Sequence, residues 1–139
     1  MADSFDRIII PVDNTEASKI AVKKGAFLAK QLGIEAKVIT VNDTHQFISS
    51  VVIEEKLKKD AEAFLEDFKK IGEEFGVKLE TQLIIGKPAE EIVKFAKEND
   101  LIIMGHHDRT KGIDKVMVSS VSNDVVKNSP CCVLVVKSK

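Results

Sequence analysis

A chain of 139 residues with 21 Lys and Arg against 22 Asp and Glu carries a formal net charge of −1. That length fits a single domain over residues 1–139, with room for a real core. So small a charge provides no field drawing the whole surface to nucleic acid or to an acidic membrane, and neither is expected as a partner.

The composition, 44% hydrophobic and 31% charged, is that of a globular domain. No apolar run approaches the roughly 20 residues of a membrane span. The start, Met1-Ala2-Asp3-Ser4-Phe5-Asp6, is acidic and lacks a signal-peptide core, so a cytoplasmic location is expected.

Ile8-Ile9-Ile10 is the unbroken apolar run of a strand buried on both faces, and Pro11 ends it. Asp13, Asn14 and Thr15 are turn and cap formers. Ala17–Leu32 then reads as a helix, with Ile20, Ala21, Leu28, Ala29 and Leu32 at helical spacing and Gly33 closing it. Ala36–Val41 is a second strand, left through Asn42-Asp43-Thr44 into a polar stretch holding His45, Phe47 and Ile48. The longest helix follows, with Ile53, Leu57, Ala61, Phe64, Leu65, Phe68, Ile71 and Phe75 at steps of three and four. Its Phe stripe reads as core packing rather than a cofactor box. After Gly76, Val77–Ile85 alternates as a third strand.

Gly86-Lys87-Pro88 opens a helix with proline in its first turn, and Glu90 and Glu91 sit at the positive end of its dipole. Ile92, Val93, Phe95 and Ala96 supply its buried face. Leu101-Ile102-Ile103-Met104 is a fourth buried strand, and Gly105 marks a sharp turn or a close approach of backbone to a ligand. The polar loop His106–Gly112 leads on to Ser119-Ser120, which can cap a last helix whose buried side carries Val121, Val125 and Val126. Ser129-Pro130 stops that helix, and Cys131–Val136 is the final strand. The adjacent Cys131 and Cys132 read as core thiols on opposite faces of that strand. Without a third or fourth thiol they do not make a structural zinc site.

Strands and helices alternate with connections too long for hairpins. That implies an α/β domain built on a doubly wound, parallel five-stranded sheet with helices on both faces. Such sheets bind ligands beyond the strand carboxyl ends, where the strand order reverses. In the order 3-2-1-4-5 the reversal lies between strands one and four, so Pro11-Val12-Asp13 and Met104-Gly105 face each other across one crevice. A strand, a glycine-led loop and a helix start also make a place for an anion.

Several chemistries are excluded by motif. The chain has no Gly-x-x-x-x-Gly-Lys-Ser/Thr phosphate loop, no Gly-x-Gly-x-x-Gly turn and no Gly-x-Ser-x-Gly elbow. No Ser-His-Asp set assembles by spacing. Of the three histidines, His45, His106 and His107, the adjacent pair points different ways from an ordinary loop, which favours a ligand-facing His107 over a two-His metal site. Asp13 has two readings, a cap on the first helix or a ligand contact.

Ile10-Pro11-Val12-Asp13-Asn14-Thr15-Glu16, Met104-Gly105, Ser119-Ser120-Val121-Ser122 and Pro130–Val136 together resemble the universal stress protein family across essentially the whole chain. The resemblance implies a dimeric α/β domain, of which one branch binds ATP. In that branch the aspartate after the first strand and the end of the second strand hold adenine and ribose. A Gly-x2-Gly-x9-Gly-Ser/Thr loop cradles the phosphates.

On the adenosine side Pro11, Val12, Asp13, Val41 and Gly105 match, with Met104 and Val121 inside the matching segments. On the phosphate side Asp108 and Ser119 stand where the second and third glycines belong, and the loop is one residue longer, around Lys111. Ser120 matches the final Ser/Thr, and His107 and Arg109 lie within the loop. A carboxylate about 5 Å from a phosphate charge costs roughly 3 kcal/mol at an effective dielectric near 20. That is about a hundredfold in affinity. Arg109, Lys111 and Lys115 can offset it; Asp108 can also turn outward as a solvated loop residue, or hold a divalent ion against the phosphates.

The resemblance therefore implies an adenine-nucleotide-binding stress regulator (ATP, ADP or AMP, with Mg or Mn as the accompanying ion) that acts on an unidentified protein partner. It implies a homodimer, and an apolar edge strand Cys131–Val136 without proline or charge is suited to pair with its own copy. The alternative is a dimeric interaction module of the same fold that holds no nucleotide. An enzyme, at most a slow ATPase, ranks last because no general base or lysine is evident for γ-phosphate transfer. A phosphoacceptor use of Asp13 lacks the paired acidic residues and the lysine such a site requires.

Overall fold

The computed structural model describes residues 4–43, 51–106 and 113–137, with the backbone alone at 51–53 and 113–120. The elements in order are β1 (Arg7–Pro11), α1 (Glu16–Leu32), β2 (Glu35–Asn42), α2 (Val51–Glu74), β3 (Glu80–Ile85), α3 (Pro88–Phe95), β4 (Asp100–His106), α4 (Ile113–Asn128) and β5 (Cys132–Lys137). The five strands form one sheet in the order β3-β2-β1-β4-β5, and every pairing is parallel. The expected fold class and strand order are both found.

Strand alternation divides the core in two. Ile8, Ile10, Val38 and Ile103 point to the side covered by α1 and α2, where Leu65 and Phe68 join them. Ile9, Ile39, Ile102 and Met104 point to the other side, against Ile92 of α3 and Val125 of α4. The Phe stripe of α2 is core, as the spacing predicts: Phe64 and Phe68 meet edge to face at 6.0 Å. Among the described residues no helix is long and apolar enough to cross a membrane.

Four local readings are corrected. The third strand begins at Glu80 rather than Val77, because Gly76 turns at φ 74° and the Val77 N–H closes the end of α2 on the Gly72 carbonyl at 2.9 Å. Ser119 and Ser120 do not cap α4 but lie inside it, since Ile113, Val116, Met117, Val121 and Val125 continue one helical spacing from residue 113. Val126 is 54% exposed: it stands one residue, about 100°, around the helix from the buried Val125. Only one cysteine is a core thiol: Cys131 packs against the core from just before β5, while Cys132 begins β5, an edge strand. Cys131 is half-buried and Cys132 is exposed. Burial pushes the Cys131 thiol up from its ordinary pKa.

At the amino ends of β1 and β4, Arg7 and Asp100 form a feature no motif announced. The Arg7 guanidinium donates to both carboxylate oxygens, at 3.1 and 2.7 Å, and to the Phe95 carbonyl at 3.4 Å. The Lys97 N–H caps the same carboxylate at 2.8 Å. The hydrogen bond to Asp100 raises the Arg7 pKa further, against the opposing effect of burial.

Candidate functional site

β1 and β4 pair over Arg7↔Asp100, Ile8↔Leu101 and Ile9↔Ile102, and then part. Beyond that point a cavity of about 260 Å³ opens at the strand carboxyl ends. Its floor is Pro11, Ile39, Val41 and Met104; Pro88 and Ile92 of α3 wall one side, and Val121 and Ser122 of α4 the other. The entrance carries Val12, Asp13, Thr15 and the first turn of α1. The crevice expected from the strand order is therefore present, and two helices complete it.

Asp13 does not cap α1. That role falls to Thr15, whose hydroxyl accepts the Ser18 N–H at 3.3 Å. Asp13 braces the cap instead: its Oδ1 accepts hydrogen bonds from the Thr15 and Ser18 hydroxyls, the latter at 2.8 Å. The Asp13 N–H returns a bond to Ser18 Oγ at 2.8 Å. No other partner of the carboxylate is found among the described residues, so Oδ2 remains an acceptor at an exposed cavity entrance.

The backbone at the end of β1 is pinned to β2. The Val12 N–H donates to the Ile39 carbonyl at 2.8 Å, and its carbonyl accepts from Thr40 Oγ1 at 2.8 Å. In a parallel ladder both polar groups of a residue face the same neighbour, and they alternate along the strand. Ile39 faces β1, and Asn42, whose carbonyl takes the Gly86 N–H at 3.0 Å, faces β3. Val41 therefore turns its N–H and C=O toward the β1 side, beyond the last β1–β2 pair, Pro11↔Ile39. That is a donor and an acceptor in the plane of the sheet at the edge of an apolar cavity.

Gly105 makes no turn, and it lines the cavity. It lies within β4, and a Cβ there would come within 2.6 Å of the Ala17 carbonyl carbon, so its absence lets the start of α1 rest on the strand. His106, expected to begin the loop, is the last residue of β4.

The cavity gathers seven of the expected site residues: Pro11, Val12, Asp13, Val41, Met104, Gly105 and Val121. His107 and Arg109, with Asp108 and Lys111, lie outside the described residues, as do the side chains of Ser119 and Ser120. Sequence reasoning missed Ile39, Thr15, Ser18, Pro88, Ile92 and Ser122. Ile39 was findable, since it shares a strand face with Val41 two residues on. Among the described residues no three His, Cys, Asp or Glu gather to hold a metal ion.

Residues 4–137 match the model of the universal stress protein family, and the chain belongs to that family. Universal stress protein MJ0531 of Methanocaldococcus jannaschii is 39% identical over 96% of this chain and 82% of its own. The solved structure of hypothetical protein MJ0577 from the same organism superposes with a TM-score of 0.80 at 34% identity, covering 97% of both chains. A universal stress protein solved in complex with cAMP, 19% identical over 99% of this chain and 100% of its own, shares the fold with a TM-score of 0.78.

Proposed function

We propose that this universal stress protein family member is a cytoplasmic, homodimeric regulator that binds adenine nucleotides (ATP, ADP or AMP). The observation carrying the reading is the cavity, in which the adenosine-side residues meet at the strand carboxyl ends. Its apolar floor suits the faces of a purine. The Val41 N–H and C=O, side by side and unclaimed by β1, complement the ring-nitrogen acceptor and amino donor on one edge of adenine. Asp13 Oδ2 accepts from a ribose hydroxyl, the kind of contact a strand-end carboxylate makes in dinucleotide folds, there from the second strand. At about 260 Å³ the space falls just short of the roughly 300–1,000 Å³ usual for small-molecule pockets, and suits a nucleoside better than a triphosphate. The cAMP complex of a protein with this fold supports the same ligand class. The phosphates fall to His107, Arg109, Ser119 and Ser120, with Mg or Mn arriving on the phosphate oxygens.

The homodimer reading rests on β5, an edge strand on which Leu134 is 40% exposed. Light scattering at micromolar concentration reads a dimer if it is right and a monomer if it is wrong.

With no Trp and no Tyr the protein barely absorbs at 280 nm, so co-purified nucleotide appears as a peak near 260 nm. Calorimetric titration of stripped protein with AMP then gives binding, or none. Asp108 and Ser119, standing where the phosphate loop carries glycines, favour the second reading, a nucleotide-independent interaction module. A flat AMP titration selects it.

A further inference from the structure

We propose that Ser18 is a positioning residue for the ligand, holding Asp13 as the acceptor of a sugar hydroxyl; the inference rests on the nucleotide reading above. Ser18 stands in the first turn of α1 and is only 5% exposed, although its side chain is polar and it lines the cavity. Its hydroxyl closes a ring with one residue: it accepts the Asp13 N–H and donates its proton to Asp13 Oδ1, each at 2.8 Å.

A hydroxyl has one proton to give, and here it is committed. The Thr15 hydroxyl donates to the same oxygen, so Oδ1 is occupied twice, and Oδ2, without a partner among the described residues, is offered to a ligand. The exposed Asp13 would otherwise rotate about its side-chain torsions, and a ligand would have to order it on binding. Fixing an acceptor in advance removes that ordering cost. Because Ser18 belongs to α1, whose start is seated on Gly105, the carboxylate is also tied to β4 across the crevice.

The consequence is selectivity for the sugar. Adenosine monophosphate offers two ribose hydroxyls to Oδ2, and 2′,3′-dideoxyadenosine monophosphate offers none. Calorimetry on the wild-type protein should show AMP binding about tenfold or more tighter than the dideoxy compound, the value of one hydrogen bond to a charged group. Ser18→Ala should erase most of that preference while leaving the dideoxy affinity unchanged. Ser18→Cys keeps the volume with a much weaker donor and acceptor, and should do the same. In the ligand-free protein either change should speed amide hydrogen exchange at Asp13.

A variant that keeps the full preference, or that loses both ligands equally, overturns the positioning role, as does unchanged exchange at Asp13. A wild-type protein that binds AMP without preferring it overturns this inference alone. One that binds neither compound overturns the nucleotide reading beneath it.

Discussion

At their amino ends β1 and β4 are zipped: Arg7 sits opposite Asp100 in the ladder, and the pair shares two hydrogen bonds beneath Phe95. At their carboxyl ends the same strands part after Ile9↔Ile102, and the space between them becomes the cavity. Each end holds a carboxylate. Asp100 is 3% exposed and satisfied by Arg7 and the Lys97 N–H, whereas Asp13 is exposed, with one oxygen anchored and the other without a partner among the described residues. The difference separates two tasks that a sheet of this kind must combine. Charge at the closed end is fully partnered, while charge at the open end is half-partnered among the described residues and lines a cavity.

Four changes test that separation. Asp100→Ala strands the Arg7 guanidinium at the closed end and should destabilise by about 3–5 kcal/mol in denaturant unfolding. AMP affinity should stay the same under folding conditions, and a parallel loss of affinity would mean the two ends are coupled. Asp108→Asn removes a charge that stands where the family's phosphate loop carries a glycine. The wild type should bind AMP about as well as ATP. The variant should gain up to roughly 3 kcal/mol for ATP if the carboxylate lies near the phosphates, with AMP hardly moved. Glycine at Ser119 is less suitable, since that residue lies inside α4 and the change would cost about 1 kcal/mol of helix.

Asp13→Ala should weaken AMP by about 1.5–3 kcal/mol, the hydrogen bond to a charged group. It should cost only about 1 kcal/mol of stability, because Thr15 still caps α1. Undiminished affinity would return Asp13 to a structural part. Gly105→Ala pushes the start of α1 off β4 and should cost about 1–3 kcal/mol, read as a lower unfolding midpoint. An unshifted midpoint would show that α1 yields there without strain.

Much of this was legible before any coordinates. Ile8-Ile9-Ile10 and Leu101–Met104 announce doubly buried strands, and the alternation of elements leads to strand order and crevice. Pro88 at the first turn of α3 follows from its fixed φ. Periodicity cannot say which helix reaches over which strand ends, so Pro88, Ile92 and Ser122 were invisible as cavity walls. Gly105 was legible as a place of close approach, but nothing local said that the start of α1 is what approaches. Arg7 and Asp100 lie 93 residues apart, and nothing local marks them as partners. Ser18 looked like any polar residue on a helix, because its worth depends on where the preceding turn places Asp13.

The central place of β1 also bears on how the molecule comes together. β1 lies early in the sequence, and β2 reaches its first edge soon after, at Glu35. Its second edge waits for β4, which begins only at Asp100. Until then an intermediate of β1, β2 and β3 would present Ile8-Ile9-Ile10 along an open apolar edge, the kind that recruits strands from other chains. The closing step joins segments distant in sequence, which makes such sheets slow to complete. Arrival of β4 zips Arg7 to Asp100 and brings Gly105 under α1, so the crevice can come into being only late in folding, once β4 and then α4 are in place.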